Sequence, residues 1–163
     1  MYYKPIVEHP IYKEKRSWHA DGRGKLIEIL RNDDYLYDED FGQSYITTVS
    51  PGITKAWHFH AKQTDRMMLV HGTIRFGGVR VDVSENMQDS KEQVLLDLVV
   101  SALDPCIIKI PPNIYHGFKN LGNEEAFIIN IPDLPYDHKD PDEDRAPPDA
   151  FKHIFDWNAC LDG

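Results

Sequence analysis

Residues 52–72 read GITKAWHFHAKQTDRMMLVHG and carry two histidines, His58 and His60, separated by one residue. Side chains two residues apart on a β-strand point to the same face of its sheet. Both imidazoles would therefore share one face, and Trp57 and Phe59 would lie on the other. The stretch predicts a strand that presents two histidines to one side of a sheet.

A second stretch, IPPNIYHGFKN at residues 110–120, brings a third histidine, His116, after a Pro-Pro turn, and Asp65 adds a carboxylate to the first stretch. Imidazoles and a carboxylate that converge inside a barrel can bind a divalent metal. They can equally bind a polar ligand and move protons. The stretches are therefore consistent with a metal site and with a metal-free site that binds a polar ligand. For a metal site, the candidate ligands are His58, His60, Asp65 and His116.

The middle of the chain predicts β-structure. Short apolar runs of strand length recur at 24–30, 44–49, 66–70, 73–83, 93–100, 105–110 and 126–131, and turn-like residues separate them. Such spacing is typical of a sandwich or barrel. We expect one domain over residues 1–163, with a hairpin around His71 and Gly72.

The end of the chain differs in composition. Residues 132–149, PDLPYDHKDPDEDRAPPD, are acidic and rich in proline. We call them the acidic segment and expect a surface loop or a flap over the mouth of the barrel, because proline is excluded from central strands. The aromatic residues that follow predict that 150–163 docks back on the body.

Charge and hydrophobicity exclude some functions. The net charge of −9 argues against nucleic-acid binding, which needs a basic face. It still permits a phosphorylated small ligand, because a local cluster of Lys and Arg can hold a phosphate. No apolar run approaches the ~20 residues of a membrane span, and the polar N-terminus is unlike a signal peptide. We expect a cytoplasmic protein.

The two histidine stretches resemble the two cupin motifs. The first motif, G-x5-H-x-H-x3/4-E-x6-G, matches Gly52, His58, His60 and Gly72, with Asp65 in place of the glutamate. The second motif, G-x5-P-x-G-x2-H-x3-N, matches Pro111, His116 and Asn120. The resemblance implies an all-β cupin, a double-stranded β-helix or jelly-roll barrel.

A narrower resemblance is to the RmlC family of cupins, the dTDP-4-dehydrorhamnose 3,5-epimerases. It runs from residue 21 to about residue 118. The matching positions are Asp21, Arg23, Gly24, Glu28, Phe41, Gln43, Gly52, His58, Val81, Asp82, Ile110, Pro111, His116, Gly117 and Phe118.

That resemblance implies an enzyme: a sugar-nucleotide epimerase or isomerase that acts on a dTDP-4-keto-6-deoxy-sugar-like substrate in the biosynthesis of surface polysaccharide such as lipopolysaccharide. It implies a homodimer that needs no cofactor. His58 would be the base that removes a proton next to the keto group, and His116 would line the same site. The implied substrate-binding residues are Arg23, Glu28, Gln43, Lys55 and His60.

Departures from the family pattern lie at functional positions. Lys55 replaces the arginine that grips phosphate, His60 replaces a glutamine, and Asp65 replaces the catalytic lysine. Tyr136 is the candidate for the family's tyrosine acid, and Ala159 stands where the family has the aspartate that orients the base. Two alternatives follow: a metal-dependent cupin enzyme, either a dioxygenase or an isomerase, or a non-catalytic sugar-binding cupin.

Overall fold

The computed structural model describes residues 11–22, 24–34, 36–37, 40–82 and 91–159, and all regular elements in these ranges are β-strands. In chain order they are β1 (Tyr12–Lys15), β2 (Trp18–Asp21), β3 (Gly24–Ile27), β4 (Tyr45–Val49), β5 (Thr54–Phe59), β6 (Asp65–His71), β7 (Thr73–Asp82), β8 (Lys91–Ser101), β9 (Cys106–Ile110), β10 (Tyr115–Asn120), β11 (Ala126–Asn130) and β12 (Asp144–Arg145). Within these ranges no helix is long and apolar enough to cross a membrane.

Ten of these strands build two five-stranded sheets. The first sheet has the order β1-β9-β6-β11-β4, and the second has the order β12-β5-β10-β7-β8. Every pairing is antiparallel, and the hairpin of β2 and β3 stands apart from both sheets. Two antiparallel sheets joined by crossing connections form a jelly roll. The predicted all-β cupin fold is confirmed.

The main hydrophobic core lies between the two sheets. Val49, Met67 and Ile128 from the first sheet and Phe76 and Phe118 from the second belong to one cluster of buried side chains. Burial of such side chains is the dominant favourable contribution to folding. The core fills one part of the space between the sheets and leaves the other part to the polar residues of the site.

The predicted hairpin around His71 and Gly72 is wrong. β6 pairs with β9 and β11, whereas β7 pairs with β8 and β10, so the chain crosses from one sheet to the other at this point. Gly72 has a φ of 95°, which glycine adopts without strain. The sequence correctly located a turn, but a turn signal does not specify which strands pair.

The acidic segment runs along the outer edge of the second sheet. Its short strand β12 pairs with β5, with Arg145 opposite His58. Ala146 and Trp57 exchange two backbone hydrogen bonds of 2.8 and 3.0 Å. The carboxylate of Asp142 accepts hydrogen bonds from the backbone N–H groups of Ala61, Lys62 and Gln63. These contacts hold the segment beside the strand that carries His58.

Aromatic residues after the acidic segment pack against the outer side of β5. The buried ring of Trp57 lies 5.4 Å from Phe151, 5.2 Å from Phe155 and 4.8 Å from Trp157 between ring centroids. Edge-to-face and tilted packing of this kind stabilises beyond the area that it buries. The alternation of side chains along β5 therefore places an aromatic cluster behind the strand and His58 in front of it.

Candidate active site

A cavity of about 990 Å³ lies between the inner faces of the sheets and the acidic segment. Its volume is within the range of small-molecule sites. The strands contribute mainly alternate residues, as expected from strand geometry. From the first sheet these are Tyr45, Thr47, Asp65 and Met67, and from the second they include Thr54, Ala56, His58, His116 and Phe118.

His58 has the hydrogen bonding of a base. It lies opposite His116 in the pairing of β5 with β10, and its Nδ1 is 2.9 Å from Oε1 of Glu143. An ionised carboxylate can only accept, so Nδ1 carries the proton and Nε2 keeps a lone pair. Burial lowers the pKa of His58, and the contact with Glu143 offsets only part of this decrease. The imidazole is therefore neutral near pH 7, and Nε2 can accept a proton.

Glu143 is a site residue that the sequence analysis missed. Burial raises the pKa of its carboxyl. Hydrogen bonds from Arg145 and His58 lower that pKa by more than burial raises it, so the net shift is downward. Arg145 donates to both carboxylate oxygens, at 3.0 and 3.1 Å. Glu143 thus places a carboxylate on His58, whereas the family's orienting aspartate is replaced by Ala159. The acidic composition of residues 132–149 was its only sequence signal.

Asp65 forms the centre of a second group in the cavity and is only 1% exposed. Its Oδ1 accepts hydrogen bonds of 2.8 Å from Gln63 and from Asn130. Its Oδ2 lies 3.1 Å from Nε2 of His116 and 3.4 Å from Nε2 of His60. Neither of these two contacts has hydrogen-bond geometry, so Oδ2 is a buried oxygen without a hydrogen bond.

Asp65 and His60 in the second group shift each other's pKa values in opposite directions. Burial raises the pKa of Asp65, but the two histidines beside it hold that pKa well below its ordinary value. Burial also acts on His60 and lowers its pKa, yet the Asp65 carboxylate more than offsets this and raises the pKa of His60 to about 9. Without another ligand, the pair is a carboxylate and an imidazolium at neutral pH.

Three of the four predicted metal ligands converge. One ligand atom each from His60, Asp65 and His116 lies within 4.8 Å of the other two. Nδ1 of His60 faces the Asp142 carbonyl and Nδ1 of His116 faces the Ile114 carbonyl, which leaves both Nε2 atoms directed at Asp65. Metal-binding histidines commonly donate their second nitrogen in this way. His58, the fourth predicted ligand, is not part of this group.

The remaining predicted residues are spread over three environments. Gln43, Lys55 and Tyr136 line the cavity. Glu28 forms an exposed ion pair of 3.0 Å with the arginine three residues later and is not part of the cavity wall among the described residues. Arg23 lies outside the described residues.

The jelly roll with His58 and His116 on adjacent strands of one inner face defines the class of the protein as a divergent RmlC-like cupin. A family model described as the polysaccharide biosynthesis C-terminal domain matches residues 19–143. The chain belongs to this family. The match spans both histidine stretches and ends at Glu143.

Known proteins with similar sequence or structure agree with this assignment. The chain is 37% identical to the probable low-salt glycan biosynthesis epimerase Agl13 of Haloferax volcanii, over 95% of this chain and 97% of that protein. A solved dTDP sugar isomerase from Desulfovibrio desulfuricans has a TM-score of 0.78 at 21% identity and covers 96% and 98% of the two chains. The rmlC epimerase of Mycobacterium tuberculosis has a TM-score of 0.73 at 18% identity, with 96% and 78% covered. The two structures support the fold.

Proposed function

We propose that this protein is a nucleotide-sugar epimerase or isomerase in surface polysaccharide biosynthesis. Its substrate would be a 4-keto-6-deoxy sugar linked to dTDP or a related nucleotide, and we place the reaction in the cytoplasm. The observation that carries the proposal is the neutral His58, oriented by Glu143, in a cavity of suitable size. The family's role in polysaccharide biosynthesis and the epimerase name of the Haloferax relative support it.

In this mechanism, Nε2 of His58 removes a proton from the carbon next to the keto group. Such a proton is acidic only when the enolate that forms is stabilised. Asp65 stands where the family has a lysine, and it holds His60 as an imidazolium, so this end of the cavity carries a cation beside a carboxylate. Return of a proton to the opposite face of the carbon completes the inversion.

Hydrogen exchange tests the proposal directly. The purified protein would be incubated in deuterated water with a panel of dTDP-linked and UDP-linked 4-keto-6-deoxy sugars, and deuterium at the carbons next to the keto group would be followed by NMR. We expect exchange with at least one member. Replacement His58→Asn should slow it by about 10²–10⁴-fold, the usual contribution of a general base.

A matched control is His71→Asn, because His71 is exposed at the corner between the sheets and contacts Glu124 rather than the cavity. It should exchange at the wild-type rate. Exchange with no member of the panel would refute the epimerase and favour a non-catalytic sugar-binding cupin. Undiminished exchange in the His58 variant would remove His58 as the base.

A second candidate function is a metal-dependent cupin enzyme, an isomerase or a dioxygenase. The observation that favours it is the buried Asp65 Oδ2, which two ring nitrogens approach at 3.1 and 3.4 Å without hydrogen bonds. Ligand atoms about 2.0–2.1 Å from a tetrahedral zinc would be about 3.3 Å apart, so the residues fit an ion. His60, Asp65 and His116 would hold it. A bound metal would supply a Lewis acid for the keto oxygen.

Elemental analysis of untagged protein distinguishes this candidate. A metal-dependent enzyme would carry about one equivalent of zinc, iron, manganese or nickel per chain, since the three groups form one site. His60→Ala and Asp65→Ala should each lose the metal, whereas His71→Ala should retain it. Protein that contains no metal and takes up neither zinc nor manganese would refute the second candidate.

We also propose that the protein is a homodimer. Among the described strands, β4 forms an edge of the first sheet and exposes Ile46, and the β2–β3 hairpin exposes Leu26, with 62% and 61% of these residues accessible. An unpaired edge with exposed apolar side chains is suited to association with a second copy. Analytical ultracentrifugation should give twice the chain mass of 18.9 kDa. A monomer at micromolar concentration would refute the dimer.

A further inference from the structure

Inversion at a carbon atom requires two groups, because the proton leaves from one face and a proton returns to the other. His58 belongs to β5 of the second sheet. The opposite wall of the cavity is the first sheet. Its strands contribute Tyr45, Thr47, Asp65 and Met67 to the cavity lining. The group that returns the proton should be sought among these side chains.

Only one of the four is a suitable proton donor. Asp65 faces its protein neighbours, because its Oδ1 accepts hydrogen bonds from Gln63 and Asn130 and its Oδ2 lies against two ring nitrogens. The hydroxyl of Thr47 is a far weaker acid than a phenol, and Met67 has no acidic proton. Burial raises the pKa of Tyr45, with a smaller opposing effect from Asn130, so its phenol is protonated at neutral pH.

The hydrogen bonds of Asn130 determine how the Tyr45 hydroxyl is used. The Asn130 Oδ1 accepts from the backbone N–H of Arg66 at 3.2 Å. Its Nδ2 donates to Oδ1 of Asp65 at 2.8 Å and to the Tyr45 oxygen at 2.9 Å. Both amide hydrogens are therefore committed, and the Tyr45 oxygen is an acceptor in this contact. The phenolic hydrogen stays available for a molecule in the cavity.

We propose that Tyr45 is a catalytic residue that donates its phenolic proton to the substrate from the wall opposite His58. The inference rests on the proposed epimerase function. Asn130, which is fully buried, fixes the hydroxyl from behind and is itself fixed by Asp65 and Arg66. The role of Asp65 in this arrangement is to orient Asn130 as well as to hold the histidines.

The proton transfers balance over one turnover. Nε2 of His58 takes the proton, the electrons of the broken C–H bond form a C=C bond, and the carbonyl electrons move to oxygen. The O–H bond of Tyr45 then breaks, its proton forms a new C–H bond on the other face, and the C=O bond returns. His58 is left as imidazolium and Tyr45 as phenolate, and solvent in the open cavity carries the proton back from one to the other.

Tyr136 is the competing tyrosine. It also lines the cavity, but it belongs to the acidic segment rather than to the wall opposite His58. Its ring packs against His138, with 4.9 Å between the centroids. No residue in the described part of the chain orients the Tyr136 hydroxyl as Asn130 orients that of Tyr45. Tyr136→Phe is therefore the competing variant, and Tyr12→Phe is the matched control, because Tyr12 lies on β1 and does not line the cavity.

The test measures exchange and inversion separately in Tyr45→Phe, Tyr136→Phe and Tyr12→Phe, with the same panel of dTDP-linked and UDP-linked 4-keto-6-deoxy sugars in deuterated water. In Tyr45→Phe, exchange should stay within about threefold of wild type because His58 is intact, while inverted product should fall by about 100-fold or more. Tyr136→Phe should keep the wild-type ratio of inversion to exchange, and the control Tyr12→Phe should retain both activities. Thermal unfolding of each variant checks that the fold is unchanged.

Three outcomes would overturn the assignment. Tyr45→Phe could invert the substrate at the wild-type rate. It could lose exchange together with inversion while remaining folded, which would indicate a role in binding. Tyr136→Phe could be the variant that loses inversion alone. Absence of exchange in the wild type is distinguishable from these, since it refutes the proposed epimerase and this inference with it.

Discussion

At the scale of single residues, Glu143 decides which nitrogen of His58 is basic. In Glu143→Gln the side-chain amide can donate to Nδ1, which would shift the ring proton to Nε2 and remove the lone pair from the reacting position. We predict that kcat for epimerisation falls by about 100-fold or more, with little change in KM, because Glu143 acts through His58. Steady-state kinetics with the active substrate of the panel measures both constants.

The neighbouring carboxylate offers the control for this prediction. Asp144 is exposed and lies on β12 next to Glu143. Asp144→Asn makes the same change of charge without touching the ring of His58, so kcat should remain near the wild-type value. Equal activity of the Glu143 variant and the wild type would show that the tautomer of His58 does not depend on this contact.

The residues of the site differ in how far the sequence could predict them. A spacing of two on a strand was sufficient to put His58 and His60 on one face, and both line the cavity. Glu143 lies 85 positions from His58, and the acidic segment offers several other carboxylates. No local sequence feature distinguishes Glu143, which contacts the His58 ring, from these other carboxylates. The proposed role of Tyr45 could not be predicted either, because it depends on a hydrogen bond from Asn130 on a neighbouring strand.

At the scale of elements, one carboxylate contributes three of the hydrogen bonds that hold the acidic segment. Asp142 accepts three backbone N–H hydrogen bonds of 2.8 to 3.0 Å from consecutive residues after β5. We predict that Asp142→Ala lowers the free energy of unfolding by about 1–2 kcal/mol, a modest loss because two of the three donors can turn to water. It should also make the segment more sensitive to limited proteolysis. Chemical denaturation and mass spectrometry of the fragments measure these effects.

Asp140→Ala is the control for the Asp142 variant. It removes an exposed carboxylate from the same segment two residues earlier, and stability should change by less than about 0.5 kcal/mol. If both variants were equally stable and equally resistant to protease, Asp142 would not anchor the segment. Composition predicted that residues 132–149 avoid a central strand, but their pairing with β5 depends on contacts distant in sequence.

At the scale of the whole molecule, two short motifs predicted the fold because they occupy adjacent strands of one sheet. His58 and His116 are register partners in the β5–β10 ladder, so the order and spacing of the motifs report a tertiary contact. The crossing at Gly72 shows the limit of this reasoning. Pairing of β6 with β11 and β9 involves residues far apart in sequence, and a single sequence does not specify it.

Arg75 on β7 ties the segment that ends at Ala159 to the body. Its guanidinium forms two hydrogen bonds of 2.8 Å with Asp97 and also donates to the backbone carbonyls of Asp156 and Ala159. Removal of one partner from a largely buried ion pair leaves the other charge without compensation. We predict that Arg75→Ala lowers the free energy of unfolding by about 2–3 kcal/mol, less than for a fully buried pair because Asp97 is partly exposed.

Arg80 provides a matched control on the same strand. Its guanidinium is half-exposed and pairs with the exposed carboxylate of Asp82 at 3.2 Å, so Arg80→Ala should cost less than about 1 kcal/mol. Urea denaturation followed by tryptophan fluorescence reports both variants, since Trp57 and Trp157 lie in the aromatic cluster behind β5. If the two variants were equally stable, the aromatic packing alone would hold the chain end. A selective loss in Arg75→Ala would show that β7 secures the segment behind the strand of His58.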